Sequence, residues 1–213
     1  MRELQTPRAR RQKANVGAGG IIDVAERLFA GHGFDAVSLR QIAIEAGLSN
    51  PFSVQYHFGD RDGLVRAIYA ARLPNIDHDR AAMIAALESS GAPITVAQLL
   101  DCLCRPFLHD HRGFSQFLGR VLRSPEQRAI RAEFDHLTPA SDAIYRRIML
   151  LLPHLPQDII NFRITAANLI VLDMLATPNL IAPESLAIAD AEQLYTAGLA
   201  AGVGCIEGPL TAL

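Results

Sequence analysis

The helical spacing of apolar residues is the feature that most constrains the fold of this 213-residue chain. Ile21, Val24, Ala25, Leu28 and Phe29 recur at i, i+3, i+4, i+7 and i+8, which places them on one face of an amphipathic helix. Similar spacing continues along the chain, and no segment shows the strict alternation typical of a half-buried strand. Because 50% of the residues are hydrophobic, such helices can bury a core. The pattern therefore predicts an all-α protein.

A pair of short helices follows this first helix. Ser38 is a good N-cap for the first of the pair, and Gly47 suits its C-terminal end. Asn50 and Pro51 predict the start of the second, because asparagine caps helices and proline is tolerated in the first turn. The apolar face of the first short helix comprises Leu39, Ile42, Ala43 and Ala46. The short turn at 46–49 predicts a helix-turn-helix, an arrangement that places its second helix in the major groove of DNA.

Glycine and proline residues predict where other helices begin and end. The glycines at 17, 19 and 20 indicate a flexible segment, since no strand precedes them as a phosphate-binding loop would require. Asp60 begins a fourth helix, and Pro74 ends it because the residue before a proline is disfavoured in helical geometry. Further helices are predicted at about 76–89, 95–111, 113–123, 126–151, 157–176 and 186–201. Pro139 leaves open a division of the 126–151 segment into two helices.

The net charge of −2 is distributed unevenly along the chain. Residues 1–72 contain ten Lys and Arg against seven Asp and Glu, whereas residues 73–213 contain ten against fifteen. Five of the basic residues lie within the first 13 positions. A basic arm of this kind indicates contact with nucleic acid or a membrane surface, and a solvated, disordered terminus is the alternative.

Composition and motifs argue against several other classes of protein. Cys102, Cys104 and Cys205 are too few for a disulfide framework, so we expect a reducing, cytoplasmic location. We find no secretory signal and no apolar stretch of about 20 residues, and we expect no membrane association. The His109/His111 and Cys102/Cys104 pairs are two positions apart and do not share a helix face, so no metal site or cofactor is expected. No catalytic or nucleotide-binding motif is present, and we expect no enzymatic activity.

Taken in order, these motifs resemble the DNA-binding domain of TetR-family transcriptional regulators over about residues 16–72. The matching positions are Ala25-x-x-Leu28-Phe29-x-x-x-Gly33-Phe34, Ser38-x-x-x-Ile42-Ala43-x-x-Ala46-Gly47-Leu48-Ser49, Tyr56-His57-Phe58 and Leu64. The sequence departs from the commoner family pattern at Pro51, which stands in the place of a glycine, and the stretch 47–58 is one residue longer. This departure leaves two registers, one residue apart, for the second short helix, which is the recognition helix.

The resemblance implies an all-helical homodimer. It has an N-terminal three-helix helix-turn-helix domain that binds double-stranded operator DNA, and a larger helical domain that binds a small ligand and the partner subunit. We therefore expect a flexible basic arm at 1–15, the DNA-binding domain at 16–72, and the regulatory and dimerisation domain at 73–213. The expected function is a repressor that a small, largely apolar ligand releases from its operator. The alternatives are a helical interaction protein that engages a protein partner without a small-molecule inducer, and a helical ligand carrier or enzyme.

Four side chains near the start of the recognition helix are candidates for reading bases. Gln55 can form two hydrogen bonds with adenine, Ser53 is tolerant of several bases, and Phe52 can contact the thymine methyl group. Asn50 is the fourth candidate. A position of Phe52 that packs inward is equally compatible with the pattern.

Five further side chains are expected to contact phosphates. Ser38 and Arg40 lie at the N-terminus of the first short helix, where amide donors and a guanidinium attract a phosphate. Tyr56 and His57 resemble the phosphate-contacting pair of the family, and Arg61 stands where the family usually has lysine. A core-facing position of His57 is the alternative.

The larger C-terminal part contains the candidate ligand pocket and dimer interface. Its aromatic, methionine and polar residues would form a mostly apolar pocket with a few polar groups, although such residues more often belong to a core. The candidates are Phe107, Phe114, Phe117, Phe134, Met149, Asn161, Thr165 and Asn168. The helix at 157–176 is apolar on nearly every face and the helix at 186–201 is rich in small residues, so together they are the predicted dimer interface.

Overall fold

The computed structural model describes residues 17–108, 112–122, 124–176 and 190–209, so the predicted basic arm at 1–15 lies outside the described residues. Its helices are α1 (Ala18–His32), α2 (Leu39–Glu45), α3 (Ser53–Phe58), α4 (Arg61–Ser89), α5 (Val96–Cys104), α6 (Arg112–Val121), α7 (Pro125–Ala132), α8 (Pro139–Leu151), α9 (Gln157–Ala176) and α10 (Ala191–Glu207). Short 3₁₀ turns occur at Arg105–Phe107 and Asp135–Leu137. These ranges contain no strand, which confirms the predicted all-α class.

The first helix begins earlier than the sequence predicts. Gly19 and Gly20 lie inside α1 rather than in a flexible segment, and Gly17 is its N-cap. The Gly17 carbonyl accepts hydrogen bonds from the amides of Gly20, at 3.0 Å, and Ile21, at 3.3 Å. Because Ile21 is buried, packing of the first turn compensates for the low helix propensity of the glycines.

Local signals set the geometry of the helix pair, as predicted. The Ser38 hydroxyl accepts a hydrogen bond from the Gln41 amide at 3.1 Å and caps α2. Gly47 has a φ of 71°, a left-handed conformation that glycine adopts readily at a helix end. The Asn50 side chain accepts from the Phe52 amide at 3.0 Å, but Pro51 and Phe52 form a turn and α3 begins only at Ser53.

The fourth helix continues through Pro74, and the prediction that Pro74 ends it is wrong. Proline inside a helix removes one backbone hydrogen bond, here to the Ala70 carbonyl, and costs about 3 kcal/mol. Leu73 and Ile76 are buried on either side of it, whereas Pro74 itself is exposed. Burial of this stripe keeps the helix intact, so the predicted boundary between residues 72 and 73 falls within α4.

The later helices follow the predictions with shifted ends. The described part of the 95–111 segment, up to residue 108, contains α5 and a 3₁₀ turn, and α5 begins with a capping box between Thr95 and Gln98. The 126–151 segment is divided into α7 and α8, as Pro139 had left open. The last helix is shifted towards the C-terminus, from the predicted 186–201 to Ala191–Glu207.

One continuous apolar core connects the N-terminal helices with the C-terminal ones. The long helix α4 contacts α1, α3, α5, α7 and α8, while α1 also packs on α6. Buried aromatic rings fill the centre, where Tyr69 of α4 lies 6.1 Å from the ring of Phe114 and 5.7 Å from that of Phe117. The short helices α2 and α3 thus stand on a scaffold built by α1 and α4.

Candidate nucleic-acid interface and central cavity

The recognition helix α3 has one buried side and one exposed side. Val54 is fully buried, whereas Phe52 is 69% exposed, Tyr56 is 86% exposed, and Gln55 and His57 are also exposed. Neither Phe52 nor His57 therefore belongs to the core, as the alternative interpretations required. We call the exposed set of Phe52, Gln55, Tyr56 and His57 the recognition surface.

Two shallow depressions join the recognition surface to the N-terminus of α2. One of about 300 Å³ is lined by Arg40, Pro51, Phe52 and Gln55. The other, of about 410 Å³, has Ser38, Gln55 and Arg61 among its lining residues. Candidate DNA-contacting residues from α2, α3 and the start of α4 thus lie side by side, with Gln55 lining both depressions.

Several of these candidates also have an internal role. One Arg61 nitrogen, Nη1, donates to the carbonyls of Phe34 and Asp35, each at 3.2 Å, and the guanidinium carbon lies 4.9 Å from the centroid of the Phe34 ring. Arg61 therefore anchors the loop that leads into α2. The side-chain oxygens of Ser38 and Asn50 accept backbone hydrogen bonds, and Ser53 is half-buried. Their contacts with DNA stay predictions.

A second feature is a cavity of about 310 Å³, partly open to solvent and lined by residues from α4 to α9, which we call the central cavity. Its apolar lining comprises Leu73, Leu103, Phe107, Leu118 and Leu122. Its polar lining comprises Arg80, Arg131, Asp135, Thr138, Ser141, Asp142, Tyr145, Thr165 and Asn168. Pockets of roughly 300–1,000 Å³ accommodate small molecules, so the volume is at the lower end of that range.

The cavity brings together only part of the predicted ligand pocket. Phe107, Thr165 and Asn168 line it. Phe114 and Phe117 are fully buried against Tyr69, and the Phe134 ring also lies 5.7 Å from that of Tyr69. Met149 packs on the core, and Asn161 is half-buried one turn before Thr165, whose hydroxyl donates to its carbonyl at 2.8 Å.

Arg80 is one of four charged residues of the cavity, with Arg131, Asp135 and Asp142, that sequence reasoning missed. It is 4% exposed, and its Nε and Nη2 donate to the Leu103 carbonyl at 3.0 and 2.7 Å. Its Nη1 donates to the Ser141 hydroxyl at 2.8 Å, and its guanidinium carbon lies 5.2 Å from the centroid of the Phe107 ring. Burial lowers the pKa of Arg80 to about 10, so the guanidinium is still charged at neutral pH.

Asp77, the buried carboxylate nearest in sequence to Arg80, forms hydrogen bonds with the start of α8. Asp77 accepts from the amides of Ala140, at 2.9 Å, and Ser141, at 3.0 Å, and from the Ser141 hydroxyl at 3.1 Å. It thereby caps α8, whose own N-cap residue, Thr138, makes no side-chain capping bond. The sequence does contain a signal for this burial. Asp77 and Arg80 stand at i+4 and i+7 from Leu73, which places both charged residues on the apolar face of the same helix.

Ion pairs connect the N-terminal part of α4 to the segment after α7 and to α1. Arg66 donates to both carboxylate oxygens of Glu133 in the segment after α7, at 2.8 and 2.9 Å, and this holds the pKa of Glu133 below its ordinary value. Arg72 donates to Glu26 of α1 at 2.7 Å and also pairs with Asp23. The part of α4 next to the recognition helix is thus connected to α1 and, through Glu133, to the segment that carries the cavity residues Arg131 and Asp135.

The described residues contain no helix that is long and apolar enough to cross a membrane. Within the same ranges, no group of three or more His, Cys, Asp and Glu side chains is arranged to hold a metal ion. Cys102 and Cys104 are buried, and burial raises their pKa to about 11 and about 12. The predicted His109/His111 pair lies outside the described residues.

Comparison with known proteins agrees with this geometry. Residues 21–68 match the family model described as "Bacterial regulatory proteins, tetR family". No curated protein matches the chain. Among solved structures, the fatty acid degradation regulator FadR from Bacillus halodurans is 13% identical, with a TM-score of 0.57 over 91% of this chain and 100% of that one.

Two further structures share the fold. A TetR family transcription regulator from Marinobacter aquaeolei is 15% identical, with a TM-score of 0.57 over 87% of this chain and 93% of that one. The TetR family regulator PfmR from Thermus thermophilus is 19% identical, with a TM-score of 0.51 over 93% and 100%. The resemblance noted in the sequence is thereby confirmed: the chain carries a tetR-family N-terminal domain on the overall fold of TetR-family transcriptional regulators.

Proposed function

We propose that this protein is a homodimeric transcriptional repressor that leaves its operator when a small, largely apolar ligand occupies the central cavity. The observation that carries the proposal is the recognition surface. Gln55, Tyr56 and His57 are exposed on the second helix of a helix-turn-helix, and Phe52 is exposed at its N-cap, where large side chains add little to the core. Exposed aromatic and amide groups at that position are suited to base edges, thymine methyl groups and phosphates.

The long helix α4 supports a coupling between ligand and operator. It begins at Arg61, directly after α3, and contributes Leu73 and Arg80 to the wall of the cavity. Its N-terminal half is paired with α1 through Arg72 and with the segment after α7 through Arg66. A ligand that binds more tightly after α4 has shifted would therefore also move α3. Such a ligand would lower operator affinity by the same factor by which bound operator lowers ligand affinity.

The surfaces of α9 and α10 support a homodimer. These two helices pack against each other, and Phe162 of α9 is 71% exposed. The exposed face of α10 includes the small residues Ala197, Ala200 and Ala201, which allow a second helix to approach closely. A two-fold pair would present two recognition helices to successive major grooves, which a single short helix cannot do.

A second candidate function is a protein-interaction module that uses the C-terminal helices. Leu150 at the end of α8 is 79% exposed, and Leu151 beside it is also exposed. Phe162 of α9 is a further exposed apolar side chain, and such side chains are suited to contact with a protein partner. This candidate predicts partner binding without any change in DNA affinity.

The test is a selection of DNA fragments with the full chain, followed by binding measurements over a range of salt concentrations. For each phosphate neutralised, the slope of log K against log salt should steepen by about 0.9. Tyr56→Ala should weaken binding to the selected fragment. Leu150→Ala, which also truncates a highly exposed apolar side chain, should leave it unchanged. Salt-independent binding, or no selected fragment, would contradict the proposal.

A further inference from the structure

Arg80 is a buried cation without a direct counter-ion. It is 4% exposed, and no carboxylate among the described residues lies within ion-pairing distance of it. Its three hydrogen bonds go to two neutral oxygens, the Leu103 carbonyl and the Ser141 hydroxyl. A guanidinium has five N–H groups, so two of them have no partner within the described part of the chain.

The acidic residues around the cavity do not supply this counter-ion. Asp77 acts on Arg80 electrostatically and through the Ser141 hydroxyl but makes no direct ion pair with it, and both Asp77 oxygens accept bonds from the start of α8. Asp135 is paired with Arg131 at 2.7 Å. Asp142 lines the cavity but is exposed to solvent. Arg80 therefore lines the cavity without a direct ion pair to any of these carboxylates.

A buried guanidinium that lacks a direct ion pair is costly in a protein interior, and a fitted anion would lower that cost. A neutral ligand would leave Arg80 without a direct ion pair. Extending our proposed function, on which this step rests, we propose that the effector of the central cavity is a small carboxylate whose anionic group pairs with Arg80.

The remaining lining describes the rest of such a ligand. Thr165 and Asn168 of α9 offer hydrogen-bonding groups across the cavity from α4. Leu73, Leu118 and Leu122 form an apolar wall. A volume of about 310 Å³ is small for a ligand site, so the carboxylate would carry a short apolar body rather than a long chain or a nucleotide.

The direct test is isothermal titration of the full chain, without DNA, with hexanoate, octanoate and phenylacetate and with the corresponding primary amides. Each amide keeps the apolar body and removes the charge. At least one carboxylate should bind at least about tenfold more tightly than its amide, because a buried charge pair is lost with the amide. Equal affinity for acid and amide, or no binding of any carboxylate in the millimolar range, would overturn the inference.

A pair of arginine variants locates the effect. Arg80→Gln should lower carboxylate affinity by at least about tenfold and bring it close to that of the amide. Arg146→Gln removes an exposed guanidinium from α8, outside the cavity, and should change neither affinity. If Arg80→Gln does not fold, the comparison of acid and amide affinities for the unaltered protein still tests whether the cavity prefers a carboxylate.

The two proposals fail in different ways. Carboxylate binding by a protein that selects no DNA fragment would refute the proposed repressor while leaving the assignment of Arg80 in place. Operator binding that is insensitive to these carboxylates, together with no titration signal, would refute the assignment of Arg80 and leave the operator-binding role intact.

Discussion

On the recognition surface, Phe52 and Tyr56 are 69% and 86% exposed, and the Tyr56 ring lies edge-on to the adjacent His57 ring. In the central cavity, Arg80 is 4% exposed and is held by neutral hydrogen-bonding groups of two other segments. Apolar rings lie outside and a charge lies inside, the reverse of what folding alone favours. Both departures are understandable if each surface is completed by something else, DNA in one case and a ligand in the other.

The two regions should respond differently to mutation. Side chains of the recognition surface contribute little to the core, so their removal should affect binding and leave stability unchanged. The polar groups around the cavity connect α4, α5 and α8, so their removal should affect stability first. Four predictions, from the largest effect to the smallest, test this contrast.

The largest effect is expected at Asp77. Asp77→Ala removes the cap of α8 and the buried negative charge nearest to Arg80, so the free energy of unfolding should fall by about 3–5 kcal/mol. Urea denaturation measures it. Asp35→Ala removes an exposed carboxylate from the loop before α2 and should change little. A loss below about 1 kcal/mol for Asp77→Ala would mean that the cavity network contributes less than a typical hydrogen bond.

The recognition surface should show the opposite behaviour. Gln55→Ala should weaken binding to the operator by about 1–3 kcal/mol and relax specificity at one base pair. Its free energy of unfolding should stay within about 0.5 kcal/mol of the unaltered protein. Asn75→Ala, which also removes an exposed amide but lies on α4 outside the recognition surface, is the matched control for both measurements. A Gln55→Ala variant that loses stability but retains affinity would remove the distinction between the two regions.

Ser38 caps α2 and is also a predicted phosphate contact, and a comparison of its Asn and Asp variants separates these two roles. Ser38→Ala removes the cap of α2 and should lower the free energy of unfolding by about 1 kcal/mol. Ser38→Asn and Ser38→Asp both restore a capping oxygen, so denaturation should show recovery in each. Only Ser38→Asp adds a negative charge next to the predicted phosphate contact, and it should weaken DNA binding. Equal DNA affinity of the Asn and Asp variants would contradict a phosphate contact at this position.

The smallest effect is expected at Tyr69, whose hydroxyl has no hydrogen-bond partner among the described residues although the ring is fully buried. Tyr69→Phe should leave the free energy of unfolding unchanged or raise it by up to about 1 kcal/mol, because it removes an unsatisfied polar group. Tyr195→Phe is the matched control, since the Tyr195 hydroxyl donates to Asp101 at 2.7 Å. That variant should lose about 1–2 kcal/mol, and thermal or urea denaturation of the pair checks the difference.

The helix-turn-helix could be predicted from the sequence because its signals are local. The Ser38 cap and the Gly47 turn each depend on residues within five positions along the chain. The same holds for Asp60, which accepts from the Gly63 amide at 2.7 Å. Residue type and spacing were therefore sufficient for most of the N-terminal unit, apart from the exact starts of α1 and α3.

The cavity could not be predicted in the same way, because its partners are distant in sequence. Arg80 bonds to Ser141, 61 positions away, and Asp77 bonds to Ala140, 63 positions away. Phe114 and Phe117 were reasonable pocket candidates by type, but packing against Tyr69 places them in the core. Only the three-dimensional arrangement distinguishes an aromatic residue that lines a cavity from one that fills a core.

Because α4 continues through Pro74, the angle about its axis between the recognition helix at one end and the cavity residues Asp77 and Arg80 is fixed. A helix of 29 residues is about 43 Å long, and each residue advances it by about 1.5 Å and turns it by about 100°. One residue inserted after Pro74 would therefore rotate Asp77 and Arg80 away from the cavity relative to the recognition helix. A seven-residue insertion would nearly restore the angle while adding about 10 Å of length. Recombination between this protein and its relatives is thus constrained in this segment by angle as well as by length.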